Sequence, residues 1–308
     1  MTTTEPSIEP SSEPSIEPEA GQTPVVVDAH HHLWSDPAAY PWLAGPGLEV
    51  LRRPFAPDDL LAETAAAGVA ATVLVEGGRE RYDEVPEHLA LAAATERIAG
   101  VVAWADLADR RLGDALERYR HLDGGDLLVG VRSQVQGNPD PDALDRPELR
   151  RGLAAVAAAG LAFDLVLRVD QLPAAARAAA ALPELRFVLD HLGKPRISAG
   201  PDGLGAWRAP FADLAQAPNV TCKLSGMVTE ADLRHWTVDD LRPFVEAAVA
   251  AFGPRRLMFG SDWPVCLLAA SYAEVLGALR ACLPPLPASD LAEVLGGTAR
   301  RTYGLRIR

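Results

Sequence analysis

Cysteine is scarce in this chain. Three residues in 308, Cys222, Cys266 and Cys282, occur without any C-x-x-C pair. An odd count with no paired spacing argues against a disulfide framework and fits a reducing cytoplasm. Long uncharged apolar runs are also missing. Charged residues interrupt each apolar stretch well short of the roughly 20 residues that cross a bilayer, so no membrane partner is expected. The N-terminus has neither the basic start nor the apolar core of a secretory signal. Basic residues are outnumbered, 29 Lys and Arg against 42 Asp and Glu, for a net charge of −13. Five of the acids (Glu5, Glu9, Glu13, Glu17 and Glu19) stand in the N-terminal tail, leaving −8 for the rest. That balance argues against nucleic acid or an anionic membrane as partner, while a small anionic molecule needs only a few local cations. No G-x-G-x-x-G follows the first apolar run, and neither a G-x-S-x-G elbow nor a phosphate-binding G-x-x-x-x-G-K-[ST] occurs.

What is present is enough apolar material for a large core, 48% of residues. Residues 1–23 are Glu, Pro, Ser and Thr with a near-repeat of E-P-S-I-E-P, too polar to offset their ordering entropy, and are expected to form a disordered tail. From residue 24 to 308 short apolar runs alternate with Ala/Leu-rich stretches. The runs are Val25–Asp28, Ala70–Val75, Ile98–Trp104, Leu127–Val131, Ala162–Leu167, Arg186–Leu189, Val220–Leu224 and Arg256–Phe259. The stretches include Asp58–Ala67, Val85–Ala94, Leu112–Arg120, Pro147–Ala159, Gln171–Ala181 and Val238–Ala251, each with apolar residues at three- and four-residue spacing. Near-continuously apolar strands alternating with helices predict a parallel sheet covered on its faces. Eight such units predict a single-domain (β/α)8 TIM barrel, with Leu291–Leu305 as terminal helix packing beneath it. A doubly wound open sheet is the rival. It is disfavoured because polar residues gather after many strands and not at one crevice.

Barrel chemistry sits at the C-terminal strand ends. Strand one runs into His30, His31 and His32, and residues two apart share a face, so His30 and His32 point together. Strand two ends in Glu76-Gly77-Gly78, strand four in Arg132-Ser133 with Gln134 and Gln136 nearby, and strand six in Asp190-His191-Leu192-Gly193-Lys194. Strand seven ends in Lys223 and strand eight in Ser261-Asp262-Trp263. His30, His32, His191 and Asp262 make a metal-and-base set suited to zinc or another divalent ion. Asp262 is placed to accept a proton from water, with His191 as the second catalytic group. The same residues could hydrolyse without metal, with cationic side chains stabilising the oxyanion, so the residues leave the cofactor as one divalent ion, zinc or manganese, or none. Arg132, Lys223, Trp34, Trp263 and Gln136 are the candidate substrate contacts, although each could instead be structural: an ion-pair partner, a snorkelling lysine or core packing. His88 and His121 read as structural. His235-Trp236 lies in a loop that could cover the site. Cys266 has no activating partner.

With these residues assembled, the chain resembles the amidohydrolase superfamily over Val25 to Leu305. The motifs are D-A-H-H-H-L-W (28–34) with Y-P-W-L (40–43), L-D-H-L-G-K-P (189–195), C-K-L-S-G-M-V-T-E-A (222–231) and L-M-F-G-S-D-W-P-V (257–265). They are most similar to its sugar-lactonase branch of L-fuconolactonase-, L-rhamnonolactonase- and 2-pyrone-4,6-dicarboxylate lactonase-like enzymes. The resemblance implies a distorted (β/α)8 barrel, with His30, His32, His191 and Asp262 as the site set. It implies a hydrolase of carbohydrate metabolism that opens a small sugar-acid or carboxylated lactone, with Asp262 activating water. Members work with one or two divalent ions or with none, and a homo-oligomer is compatible with it. Amide hydrolysis, decarboxylation of the aminocarboxymuconate-semialdehyde type and a non-catalytic ligand-binding barrel are the alternatives. The pattern departs from relatives at Ser133, where a histidine often follows the strand-four arginine, at Glu76, often glutamine, and at Gly296-Gly297-Thr298, often G-G-N.

Overall fold

The computed structural model describes residues 24–307; the tail expected over residues 1–23 lies outside them. Eight strands pair in parallel in chain order: β1 Val26–His31, β2 Val69–Val75, β3 Ile98–Trp104, β4 Leu128–Ser133, β5 Ala162–Leu165, β6 Arg186–Leu189, β7 Val220–Leu224 and β8 Leu257–Phe259. Helices cross between them: α1 Pro57–Ala67, α2 Glu84–Ala94, α3 Leu112–Arg120, α4 Pro147–Ala158, α5 Leu172–Ala181, α6 Gly200–Ala215, the single turn α7 Met227–Glu230 with α8 Val238–Phe252, and α9 Tyr272–Cys282. This is the (β/α)8 barrel that the alternation predicts. Among the described residues no helix is long and apolar enough to cross a membrane.

The strands are apolar on both faces because both are covered. One set of side chains, including Leu74, Val101, Val131, Phe163, Leu189 and Leu224, packs against the helices. The alternate set, Val27, Val73, Val75, Val102, Ala162, Val188 and Met258, forms a second cluster that Ala299, Tyr303 and Leu305 complete. The terminal segment (α10 Ala288–Ala292, a π-helical turn Glu293–Gly297 and α11 Thr298–Tyr303) thus plugs one end of the barrel. Helix α6 is absent from the helices named above from sequence. Gly203, Gly205 and the internal Pro210 weaken its local preference. Its buried Trp207 and Phe211, stacked at 4.1 Å between ring centroids, supply the packing that overrides it.

Candidate active site at the closing seam of the barrel

The barrel closes where β1 meets the chain leaving β8. The Asp262 N–H donates to the His30 carbonyl at 2.8 Å, and the His32 N–H donates to the Trp263 carbonyl at 2.7 Å. Beneath this seam the buried Asp28 carboxylate accepts from the N–H of His30 (3.0 Å) and of Ser261 (2.8 Å) and from the hydroxyls of Ser261 (2.6 Å) and Tyr272 (2.8 Å). A Cβ at Gly260 would lie 2.8 Å from His30 Cβ, so a glycine is needed for β8 to pass this close. Two of the residues predicted for the site occupy the left-handed backbone region, His191 at φ 54° and Asp262 at φ 57°. For residues other than glycine this costs on the order of 1 kcal/mol or more each. At Asp262 the seam hydrogen bond holds the strained conformation in place.

His30 Nε2 and His32 Nε2 lie 3.2 Å apart. Asp262 Oδ1 is 3.5 Å from His32 Nε2, 3.8 Å from His30 Nε2 and 3.9 Å from His191 Nε2. His32 Nδ1 donates to the Val75 carbonyl at 3.0 Å, which leaves the Nε2 lone pair facing inward. His30 Nδ1 lies 3.1 Å from the Lys223 ammonium and 3.3 Å from Asp190 Oδ1, and its Nε2 is free for an ion in the tautomer protonated at Nδ1. Two imidazole nitrogens this close share either a proton or a cation. A tetrahedral ion with ligands at about 2.0–2.1 Å separates them by about 3.3 Å, so the triangle of His30, His32 and Asp262 fits a divalent metal. His31 points away, its Nε2 2.9 Å from Thr72 Oγ1, as alternation requires.

Behind the donors is a buried charge network. Arg132 donates from Nε to Glu76 Oε1 (2.6 Å), from Nη2 to the Glu76 carbonyl (2.7 Å) and from Nη1 to Asp190 Oδ2 (2.9 Å). Lys223 Nζ lies 2.6 Å from Asp164 Oδ2, 2.9 Å from Asp190 Oδ1 and 3.1 Å from His30 Nδ1. The Tyr303 hydroxyl, from the terminal plug, donates to Asp164 at 2.8 Å. Burial pushes Asp164 up against the pull of Lys223. Asp190 is held well below the usual carboxylate range: burial opposes this, but Lys223, His30 and Arg132 together prevail.

A cavity of about 420 Å3 opens over these groups, lined by His32, His191, Asp262 and Arg132 at its base and by Trp42, Arg79, Glu80, Gln134, Gln136 and Lys194 among its walls. Arg132 and Gln136 thus stand where substrate contacts were expected. Trp34, Trp263 and Lys223 do not. Trp34 pairs backbone to backbone with Phe55 and packs between Tyr40 and Phe55, its Nε1 donating to the Arg53 carbonyl. Trp263 lies edge-on to the same Phe55, and Lys223 is fully buried in its ion pairs. Trp263 directly follows Asp262 and so turns to the opposite face, whereas Trp34, beyond the end of β1, is carried away from the cavity by its backbone bridge to Phe55. Trp42 takes the wall position instead. It is 36% exposed, anchored by Nε1–H to the Gly77 carbonyl at 2.8 Å and edge-on to Trp34. His235 is exposed and pairs with Asp232, and Trp236 donates to the Ala269 carbonyl; neither lines the cavity.

A sequence profile of the amidohydrolase family matches residues 27–305. The chain belongs to the amidohydrolase family. An L-fucono-1,5-lactonase of Burkholderia multivorans is 41% identical over 291 residues, covering 91% of this chain and 96% of the relative. A second L-fucono-1,5-lactonase, from Burkholderia ambifaria, is 34% identical over 281 residues, covering 90% and 94%. A crystal structure of an amidohydrolase from Burkholderia multivorans with bound zinc superimposes with a TM-score of 0.86 at 38% identity, over 92% of this chain and 100% of that one.

In this amidohydrolase the donor set is electrostatically prepared. Burial drives His30 well below the usual imidazole range, helped by the Lys223 ammonium, and burial brings His191 down to about 4. Both rings are therefore neutral near pH 7. Burial alone would raise Asp262, but His191 and His32 beside it outweigh that and hold it below the ordinary carboxylate value. Among the residues that sequence reasoning did not assign are Asp190, Asp164 and Tyr303, which support the site, and Trp42 and Lys194, which line it. Asp164 carried a signal: a lone acid inside the apolar β5.

Proposed function

We propose that this amidohydrolase hydrolyses the lactone of a small sugar acid, of the L-fucono-1,5-lactone kind, by water attack on the ring carbonyl. The observation that carries this is Asp262. Its carboxylate lies at the cavity base, is kept ionised by His191 and His32, and turns Oδ1 to the three histidines. Oδ2 is then the oxygen left for a water. Asp262 takes the water proton as the oxygen–carbonyl carbon bond forms. When the ring C–O bond breaks, it returns a proton to the leaving alkoxide. Arg132, paired with Glu76 and Asp190, forms part of the base of the cavity, and His191, held at Nδ1 by Ser225 Oγ at 2.9 Å, faces the same space. A divalent ion held by His30, His32 and Asp262, zinc before manganese on the nitrogen-rich donor set, would polarise the carbonyl and acidify the water. Gln134 and Gln136 suit sugar hydroxyls, while Trp42, Val166 and Val265 give the ring's carbon face an apolar wall.

The test is proton release on a panel of aldono-1,4- and 1,5-lactones and one pyrone dicarboxylate, with and without chelator and added zinc or manganese. Turnover fastest on a 6-deoxyaldono-1,5-lactone and lost with chelator supports the whole reading. Turnover that ignores chelator removes the metal, and no turnover on any lactone removes the substrate class.

A further inference from the structure

Three cations line the cavity among the described residues, and two of them are already neutralised. Arg132 is spent on Glu76 and Asp190. Arg79 forms a two-pronged pair with Glu87, with Nη2–Oε2 at 2.7 Å and Nη1–Oε1 at 3.0 Å, and lies over the Tyr40 ring. Lys194 is different. Its nearest carboxylate, Glu230 Oε1, is 3.9 Å from Nζ, beyond hydrogen bonding, and its side chain is partly open to the cavity. It is placed by the same turn that aims His191. His191, Leu192 and Lys194 all hold positive φ, the Lys194 N–H donates to the His191 carbonyl at 2.8 Å, and the buried Trp207 Nε1 clamps the turn through the Leu192 carbonyl at 2.6 Å. An ammonium on so rigid a turn, on the same cavity as His191 and Asp262 and held by Glu230 only at 3.9 Å, is placed to meet negative charge that arrives with the reaction.

We propose that Lys194 is the anion-binding residue of the cavity: it receives the carbonyl oxygen as charge develops on it and then the carboxylate of the ring-opened acid, with Glu230 as its positioning residue. Neutral hydroxyls of the substrate fall to the glutamines. The proposal rests on the lactonase reading for its substrate, but binding alone can test it.

The experiment compares wild type with Lys194→Met, Lys194→Arg and Glu230→Gln. For each, calorimetry reads the affinity for the sugar acid formed by ring opening and for the alditol of the same chain, in which a neutral CH2OH replaces the carboxylate. Proton release reads kcat and KM. Loss of one charge-assisted hydrogen bond predicts about tenfold or greater weakening of the acid in Lys194→Met, with the alditol within about twofold. It also predicts a fall in kcat that exceeds the rise in KM, substantial recovery in Lys194→Arg and a smaller loss in Glu230→Gln. Acid and alditol weakened together, or neither changed, would overturn the proposal, as would an arginine variant no better than methionine. Wild type that binds the acid through Lys194 yet turns over no lactone would keep the anion site and remove the lactonase reading.

Discussion

The backbone N–H of Asp262 donates to the carbonyl of His30 at 2.8 Å, so the proposed base and a proposed metal ligand are joined by one hydrogen bond across the seam that closes the barrel. The geometry of the proposed site and the closure of the fold therefore rest on the same contact. Substitutions here divide into those that remove chemistry and those that open the seam. Gly260→Ala belongs to the second group: its methyl collides with His30 Cβ. It should lose activity and thermal stability together, which activity assays paired with thermal melts would show.

Lys223 is predicted to be structural to a degree its sequence position conceals. Lys223→Met would leave Asp164 without its cation and Asp190 with only Arg132 and His30. Breaking a buried pair on one side costs on the order of 3–5 kcal/mol. The double variant Lys223→Met/Asp164→Asn removes the orphaned charge and should regain part of that loss. Denaturant unfolding of both variants checks this; a single variant as stable as wild type would contradict it.

Trp42 is expected to set affinity for the sugar ring. Trp42→Ala removes the indole wall and should raise KM about tenfold or more on a 6-deoxyaldonolactone, with kcat changed much less. A kcat loss equal to the KM change would place Trp42 elsewhere in the reaction.

His88 makes stability depend on pH. Burial and the neighbouring His32 bring it down to about 4, from 6.5 in an unfolded chain. Between those values the unfolded chain binds a proton that the folded one does not. Its contribution is therefore whole above pH 6.5 and is lost as pH falls toward 4. Glu84, 3.7 Å away and pushed up to about 7 by burial and Glu76, works in the opposite direction, its contribution declining as pH rises. His88→Gln should separate the two. Lowering pH from 7 to 4 should cost the wild type more in Tm than the variant, and parallel Tm curves would contradict this.

The sequence revealed the barrel because strands covered on both faces leave long apolar runs, and revealed the donors because they stand where those runs end. His30 and His32 share a face as period two requires, although a register shift between Asp28 and His31 interrupts β1 there. What was hidden depends on contacts far apart in sequence. Lys223 could not be distinguished from a substrate cation until Asp164 and Asp190 were seen around it, 59 and 33 residues away in the chain. Trp42 was concealed by its loop, since nothing local shows that Gly77 and Gly78 leave room for its indole.

If Asp262 activates water at this seam, turnover depends on its carboxylate and the fold does not. The most direct measurement is proton release on L-fucono-1,5-lactone by wild type and Asp262→Asn, with metal content determined on both proteins. The expected kcat is lower by roughly 10²–10⁴ in the variant, the range of a lost general base, with Tm nearly unchanged and a product-like sugar acid still bound. An Asp262→Asn protein that opens the lactone at close to the wild-type rate would contradict it.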